Sequence, residues 1–162
     1  MTLTLSPGLG SAWVSERFDV KEVGAVCGAV AAVTDQIWIG TGATNIDTRH
    51  PLLTASLATS LSRLSGGRFA LGVGRGVQIR AQMMGLKPVT NRQLSEFVAL
   101  MRKLWKGERV FNHESPLGKF LYLHQADWMN EPIPLLLTAF GQQSLEFAGT
   151  LFDGVILHTF LS

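Results

Sequence analysis

The chain has 162 residues, 46% of them hydrophobic and 16% charged, a balance that excludes a disordered polymer and provides for a buried core. Fourteen Lys and Arg against twelve Asp and Glu give a formal charge of +2, and with the charges dispersed rather than gathered in a stripe, nucleic acid is not an expected partner. A lone cysteine, Cys27, excludes an internal disulfide, and four histidines without ligand spacing argue against a metal site. In chain order, Ser11-Ala12-Trp13-Val14-Ser15 predicts a short strand, and Asp19 with Glu22 a capping-box-like start for a helix bearing Val23, Val26, Cys27, Val30 and Val33 on one side. Ile37-Trp38-Ile39-Gly40-Thr41-Gly42-Ala43 is apolar without alternation, as a strand covered on both faces should be. Pro51 opens a helix in which Leu53, Leu57, Leu61 and Leu64 recur until Gly66-Gly67 stops it, and Phe69-Ala70-Leu71-Gly72-Val73-Gly74 makes a third strand. Thr90 and Gln93 cap a helix carrying Leu94, Phe97, Val98, Met101, Leu104 and Trp105, which ends at Lys106-Gly107. Residues 109–132 have no clear period and read as an excursion between a helix and the next strand, whose structure the sequence leaves undecided. A strand over 133–139, a helix over 142–152 and a fifth strand over 154–160 complete the series.

Strand-helix alternation with apolar strands implies a parallel sheet with helices packed outside it, either an open doubly wound sheet or an arc of a barrel. In both, ligands bind at the carboxyl ends of the strands. The clusters that fall there are Glu16-Arg17-Phe18, Gly42-Ala43-Thr44-Asn45, Gly74-Arg75-Gly76-Val77-Gln78, Thr138-Ala139-Phe140-Gly141 and His158-Thr159. Gly72-x-Gly74-x-Gly76 is not the dinucleotide fingerprint, whose last glycine comes one residue later. Its glycines admit close backbone approach to a planar or phosphorylated ligand, and Arg75 suits an anion; a tight turn with a solvated arginine is the equally ranked alternative. No nucleophile-histidine-acid arrangement is legible. The N-terminus lacks the basic start and apolar centre of a signal peptide, and the apolar stretch 23–33 is too short to span a bilayer, so a cytoplasmic protein without a membrane partner is expected.

Ser11 to Phe18, then Ile39-Gly40-Thr41-Gly42 with Thr48-Arg49-His50-Pro51, then Leu64-Ser65-Gly66-Gly67-Arg68-Phe69-Ala70-Leu71-Gly72-Val73-Gly74-Arg75-Gly76, have the order and spacing of the bacterial luciferase-like superfamily. The chain resembles in particular its actinobacterial members that depend on the deazaflavin coenzyme F420, and the likeness runs on through Leu104-Trp105-Lys106-Gly107-Glu108 to Asp153-Gly154-Val155. The resemblance implies an α/β fold, a partial TIM (β/α)8 barrel of about strands two to six, formed by residues 1–162 as one incomplete domain. The chain's length falls below the roughly 200 residues at the low end for a complete barrel, consistent with a truncated member. It also implies a hydride-transferring oxidoreductase using F420, with an FMN-dependent luciferase-like monooxygenase or a non-catalytic fragment as alternatives.

Position by position, the resemblance assigns Gly42-Ala43 to a bulge with a non-prolyl cis peptide behind the deazaflavin ring. It makes Glu16 and Asn45 cofactor-contacting residues, joined by Gly74, Arg75 and Gly76, and gives Phe140 and Gly141 the coenzyme's phosphate side. Two positions depart from the pattern: Arg17 stands where relatives often have a proton-donating His, and Val77 where sugar-phosphate-dehydrogenating relatives have a Glu. Arg17 is thus the sole catalytic candidate and sugar phosphates are not the expected substrate; a different small molecule is. An arc leaves two strand edges and core-facing side chains such as Val14, Ile37, Leu71, Leu136 and Ile156 open, so a homo-oligomer or an aggregation-prone chain is expected.

Overall fold

In the computed structural model, residues 9–125 and 132–157 are described; the strand-end cluster His158-Thr159 and the end of the fifth strand lie outside them. Five parallel strands follow one another across the sheet in chain order: β1 (Ser11–Val14), β2 (Trp38–Thr41), β4 (Phe69–Gly74), β7 (Leu135–Thr138) and β8 (Gly154–Ile156). A two-residue strand, β3 (Thr44–Asn45), pairs with the carboxyl end of β4 beyond the point where β2 leaves it. The sequential order is that of a half-barrel rather than a doubly wound sheet, and β2 lies between β1 and β4 as the barrel-arc reading requires.

Helices α1 (Val23–Val33), α2 (Pro51–Leu64), α4 (Asn91–Trp105) and α5 (Gln142–Leu151) fill the crossovers. The core lies between the sheet and these helices, where Ile39, Phe69, Leu71, Val73, Leu135 and Leu137 meet Leu94, Phe97, Leu100, Met101 and Leu104. Every apolar residue expected on α4 is buried, and Thr90 with Gln93 forms the full capping box. The indole N–H of Trp105 donates to the Ala55 carbonyl at 3.3 Å, tying α4 to α2.

Elsewhere the sequence pattern misjudges the faces. On α2, Leu53 and Leu64 are exposed, while Leu61 is buried and Leu57 packs against the core beside Ala55, Ala58 and Ser62; small residues let α1 and α4 approach closely, so the leucine stripe supplies only part of the buried face. Val33 of α1 is likewise exposed. The α1 cap is Glu22 alone, whose carboxylate accepts from the Ala25 N–H at 2.7 Å, while Asp19 lies in the preceding turn, 4.0 Å from Arg17. Two further elements appear. A short helix, α3 (Gln78–Met83), follows β4, and the excursion contains an antiparallel hairpin, β5 (Val110–Ser115) with β6 (Gly118–Leu123).

Two glycines of the sheet make room for groups of neighbouring strands. A Cβ on Gly40 would land in the Trp13 ring, and one on Gly72 would meet the Thr41 carbonyl and the Ile156 side chain, so glycine is required at both for lack of space. Val14 and Leu71, expected to be open, are buried under the helices because odd and even positions of a strand face opposite sides. The open inner face is instead marked by Trp13 and Trp38, 44% and 45% exposed. Among the described residues no helix is long and apolar enough to cross a membrane.

Candidate functional site

The carboxyl ends of the strands surround a cavity of about 780 Å³. The loop after β1 contributes Glu16, Arg17 and Phe18, and the segment ending in β3 contributes Ala43, Thr44 and Asn45. The end of β4 and the loop behind it bring Gly74, Arg75 and Gly76, and the β7–α5 junction brings Thr138, Phe140 and Gly141. Nine of the ten residues expected at the site therefore share one concavity. The tenth, Gly42, sits one residue behind the wall, facing the Cβ of Trp13, while its bond to Ala43 is cis.

The floor is built of backbone. A Cβ at Gly74 would stand 3.3 Å from the Thr138 hydroxyl oxygen and 3.4 Å from the Ala43 Cβ, so the position is glycine-sized. Gly76 has φ +69°, in the left-handed region that favours glycine, and a Cβ there would approach the Asn45 amide at 3.0 Å. Asn45 braces the floor rather than reaching into the cavity: its Oδ1 accepts from the Asp47 N–H at 2.9 Å and its Nδ2 donates to the Arg75 carbonyl at 3.4 Å. Arg75 in turn donates to the side chain of Asn91 at the start of α4.

Glu16 is held even more firmly. Its carboxylate accepts from Arg49 at 2.5 and 2.9 Å and from the Thr44 hydroxyl, and its side chain is 5% exposed. Arg49 also grips Glu22, so one guanidinium joins the β1 loop, β3 and the α1 cap. Hydrogen bonding to Glu16 raises the Arg49 pKa further against an opposing burial effect. Burial pushes the Glu22 carboxyl up, but the Ala25 and Gly24 amides and Arg49 outweigh it and hold the group below the usual carboxylate range. Burial also raises the Asp47 carboxyl and pushes the Cys27 thiol up to about 11, which makes that cysteine unreactive. A carboxylate held in this way fixes the wall. Arg17, the catalytic candidate, is half exposed at the mouth near Asp19.

Two features mark the cavity as built for a ligand. The Thr138 hydroxyl is buried without a hydrogen-bond partner, which native folds seldom leave so unless something else satisfies it. The N-terminus of α5 opens at the cavity with Gly141 as its cap and no side chain bonding its first amides, so free N–H donors face the same space. A planar phosphorylated cofactor fits this donor set: glycines and Ala43 for close approach, a waiting hydroxyl, and amide donors for an anion.

The sequence profile of the luciferase-like monooxygenase family matches residues 6–162. The chain belongs to that family. It is 32% identical over 154 residues to a 5,10-methylenetetrahydromethanopterin reductase of Methanolobus tindarius, covering 93% of this chain and 46% of the relative. It is 36% identical over 135 residues to an F420-dependent glucose-6-phosphate dehydrogenase of Segniliparus rotundus, covering 80% and 40%. The solved structure of the coenzyme F420 dependent tetrahydromethanopterin reductase of Methanopyrus kandleri superposes with a TM-score of 0.77 at 26% identity, over 91% of this chain and 47% of that one. The chain thus spans about half the length of the relatives it matches, in agreement with the half-barrel sheet.

Sequence reading passed over Thr138 as one residue of a cluster and Arg49 as one letter of a motif. It also missed the wall formed by Arg80, Ala81, Met83 and Met84. The Arg49–Glu16 pair, 33 residues apart, has no local signature, and α3 is too short to show a period.

Proposed function

We propose that this chain carries the coenzyme-binding face of an F420-dependent oxidoreductase that moves a hydride to or from a small organic substrate. The observation that carries the reading is the single concavity in which Ala43, Gly74, Gly76, Thr138 and Gly141 converge, supported by the similarity to F420-dependent relatives. Bound there, the deazaflavin would supply the hydride chemistry. The glycines admit close approach, the Thr138 hydroxyl supplies a hydrogen bond, and the first amides of α5 take the phosphate. Glu16, locked by Arg49, holds the β1 loop and β3 at fixed separation, and Phe18 and Phe140 add apolar rings to the lining. We assign residues 1–162 to one partial-barrel domain of the cytoplasm, where Cys27 stays a thiol.

The test is fluorescence titration of the purified chain with F420 and, separately, with FMN. F420 is expected to bind, and Thr138→Val to weaken it about tenfold, the ~1.4 kcal/mol of one hydrogen bond. Binding of FMN alone would favour a flavin-dependent monooxygenase instead, and binding of neither would make the chain a non-catalytic fragment.

A further inference from the structure

The α3 side of the cavity has a chemistry of its own. Val77, Ala81, Met83 and Met84 supply its surface, and Met83 is 82% exposed. A soluble chain rarely displays so much apolar side chain around one opening without a ligand to cover it. Two adjacent methionines, unbranched and adaptable, accommodate an irregular apolar molecule.

One charged group stands in this wall, Arg80. The other ionic side chains of the lining already have partners: Glu16 has Arg49, Arg17 lies 4.0 Å from Asp19, and Arg75 donates to Asn91. Arg80 has no side-chain hydrogen bond or ion pair among the described residues. A polyhydroxylated ligand laid against this wall would give up many bonds to water and find only the Arg80 guanidinium in exchange. An apolar body with one anion would lose little water and gain a bidentate partner, because the guanidinium fork matches a carboxylate.

We propose that the substrate class of this cavity is a lipophilic molecule carrying a single carboxylate-like anion, its body against Val77, Met83 and Met84 and its anion on Arg80. Arg80 is then the specificity-determining residue. The proposal rests on reading the cavity as a joint cofactor and substrate site, but its test separates the two.

Decanoate and decan-1-ol, alike in length and differing in charge, are titrated calorimetrically into the whole chain with and without F420. Decanoate is expected to bind about tenfold more tightly than the alcohol. Arg80→Gln should abolish that preference and leave F420 affinity unchanged, whereas Met83→Ser with Met84→Ser should weaken acid and alcohol alike. Equal affinity for acid and alcohol in the unaltered chain would overturn the proposal. So would an Arg80→Gln chain that loses F420 and keeps its preference for decanoate, since Arg80 would then serve the coenzyme's phosphate. An Arg80-dependent preference for decanoate in a chain that binds no F420 would uphold the substrate class and refute the cofactor reading.

Discussion

Replacing Arg49 by Met removes a guanidinium that is 17% exposed and leaves the Glu16 carboxylate, 5% exposed, with the Thr44 hydroxyl as its remaining partner. Breaking a buried pair from one side costs about 3 to 5 kcal/mol, because the surviving charge stays in a medium that solvates it poorly. The Glu22 arm is half exposed and contributes at most about 1 kcal/mol. A loss near 3 kcal/mol is therefore expected at pH 7, or about 6 to 12 °C in melting temperature for a chain of this size. Urea unfolding of Arg49→Met, Glu16→Gln and the double variant forms a cycle in which the double variant should be more stable than Arg49→Met, since the stranded charge is gone. A deficit below about 1 kcal/mol, or a cycle in which the two changes simply add, would refute the network as a support of the cavity wall.

Gly74→Ala should lower F420 affinity at least tenfold in fluorescence titration while moving stability by no more than about 1 kcal/mol, because its Cβ meets one hydroxyl and one methyl group at 3.3 to 3.4 Å rather than backbone. Asp47, whose carboxyl is raised by burial, opposes folding above that raised pKa and ceases to do so as the pH falls through it. Asp47→Asn should therefore stabilise the chain at pH 7, with the gain vanishing in acid, as thermal melts across pH would record. The sides of β1 and β8 that are unpaired among the described residues and the open Trp13 and Trp38 face predict self-association, seen as a scattering mass above 17.6 kDa that rises with concentration; a monodisperse monomer with a cooperative melt above about 60 °C would contradict it.

Legibility from sequence tracked how local each signal was. The α4 helix was readable in full because cap, face and stop lie within eighteen residues and agree. The α2 face was not, since Ala55, Ala58 and Ser62 are chosen for smallness against a neighbouring helix, which hydropathy cannot register. The β5–β6 hairpin hid because Phe111, Leu121 and Tyr122 are exposed apolar residues that blur the alternation a half-buried strand should show. At the site, glycines at strand ends advertised the floor, since their spacing is local. The Glu16–Arg49–Glu22 bridge spans three segments and becomes visible only when the fold brings them together.

Between β2 and β4 the backbone ladder stops after Gly40 and Ala70, and the Thr41 side chain takes over, its hydroxyl donating to the Gly72 carbonyl at 2.6 Å and accepting from the Gly72 amide at 2.8 Å. At this place two strands are joined by a rotatable bond. Thr41 is fully buried, so the Gly72 amide meets solvent deuterium only when the β2–β4 seam itself opens, and its exchange reports on that seam. The sheet thus carries, three residues short of Thr44 at the cavity, a seam held by one side chain in place of a backbone ladder.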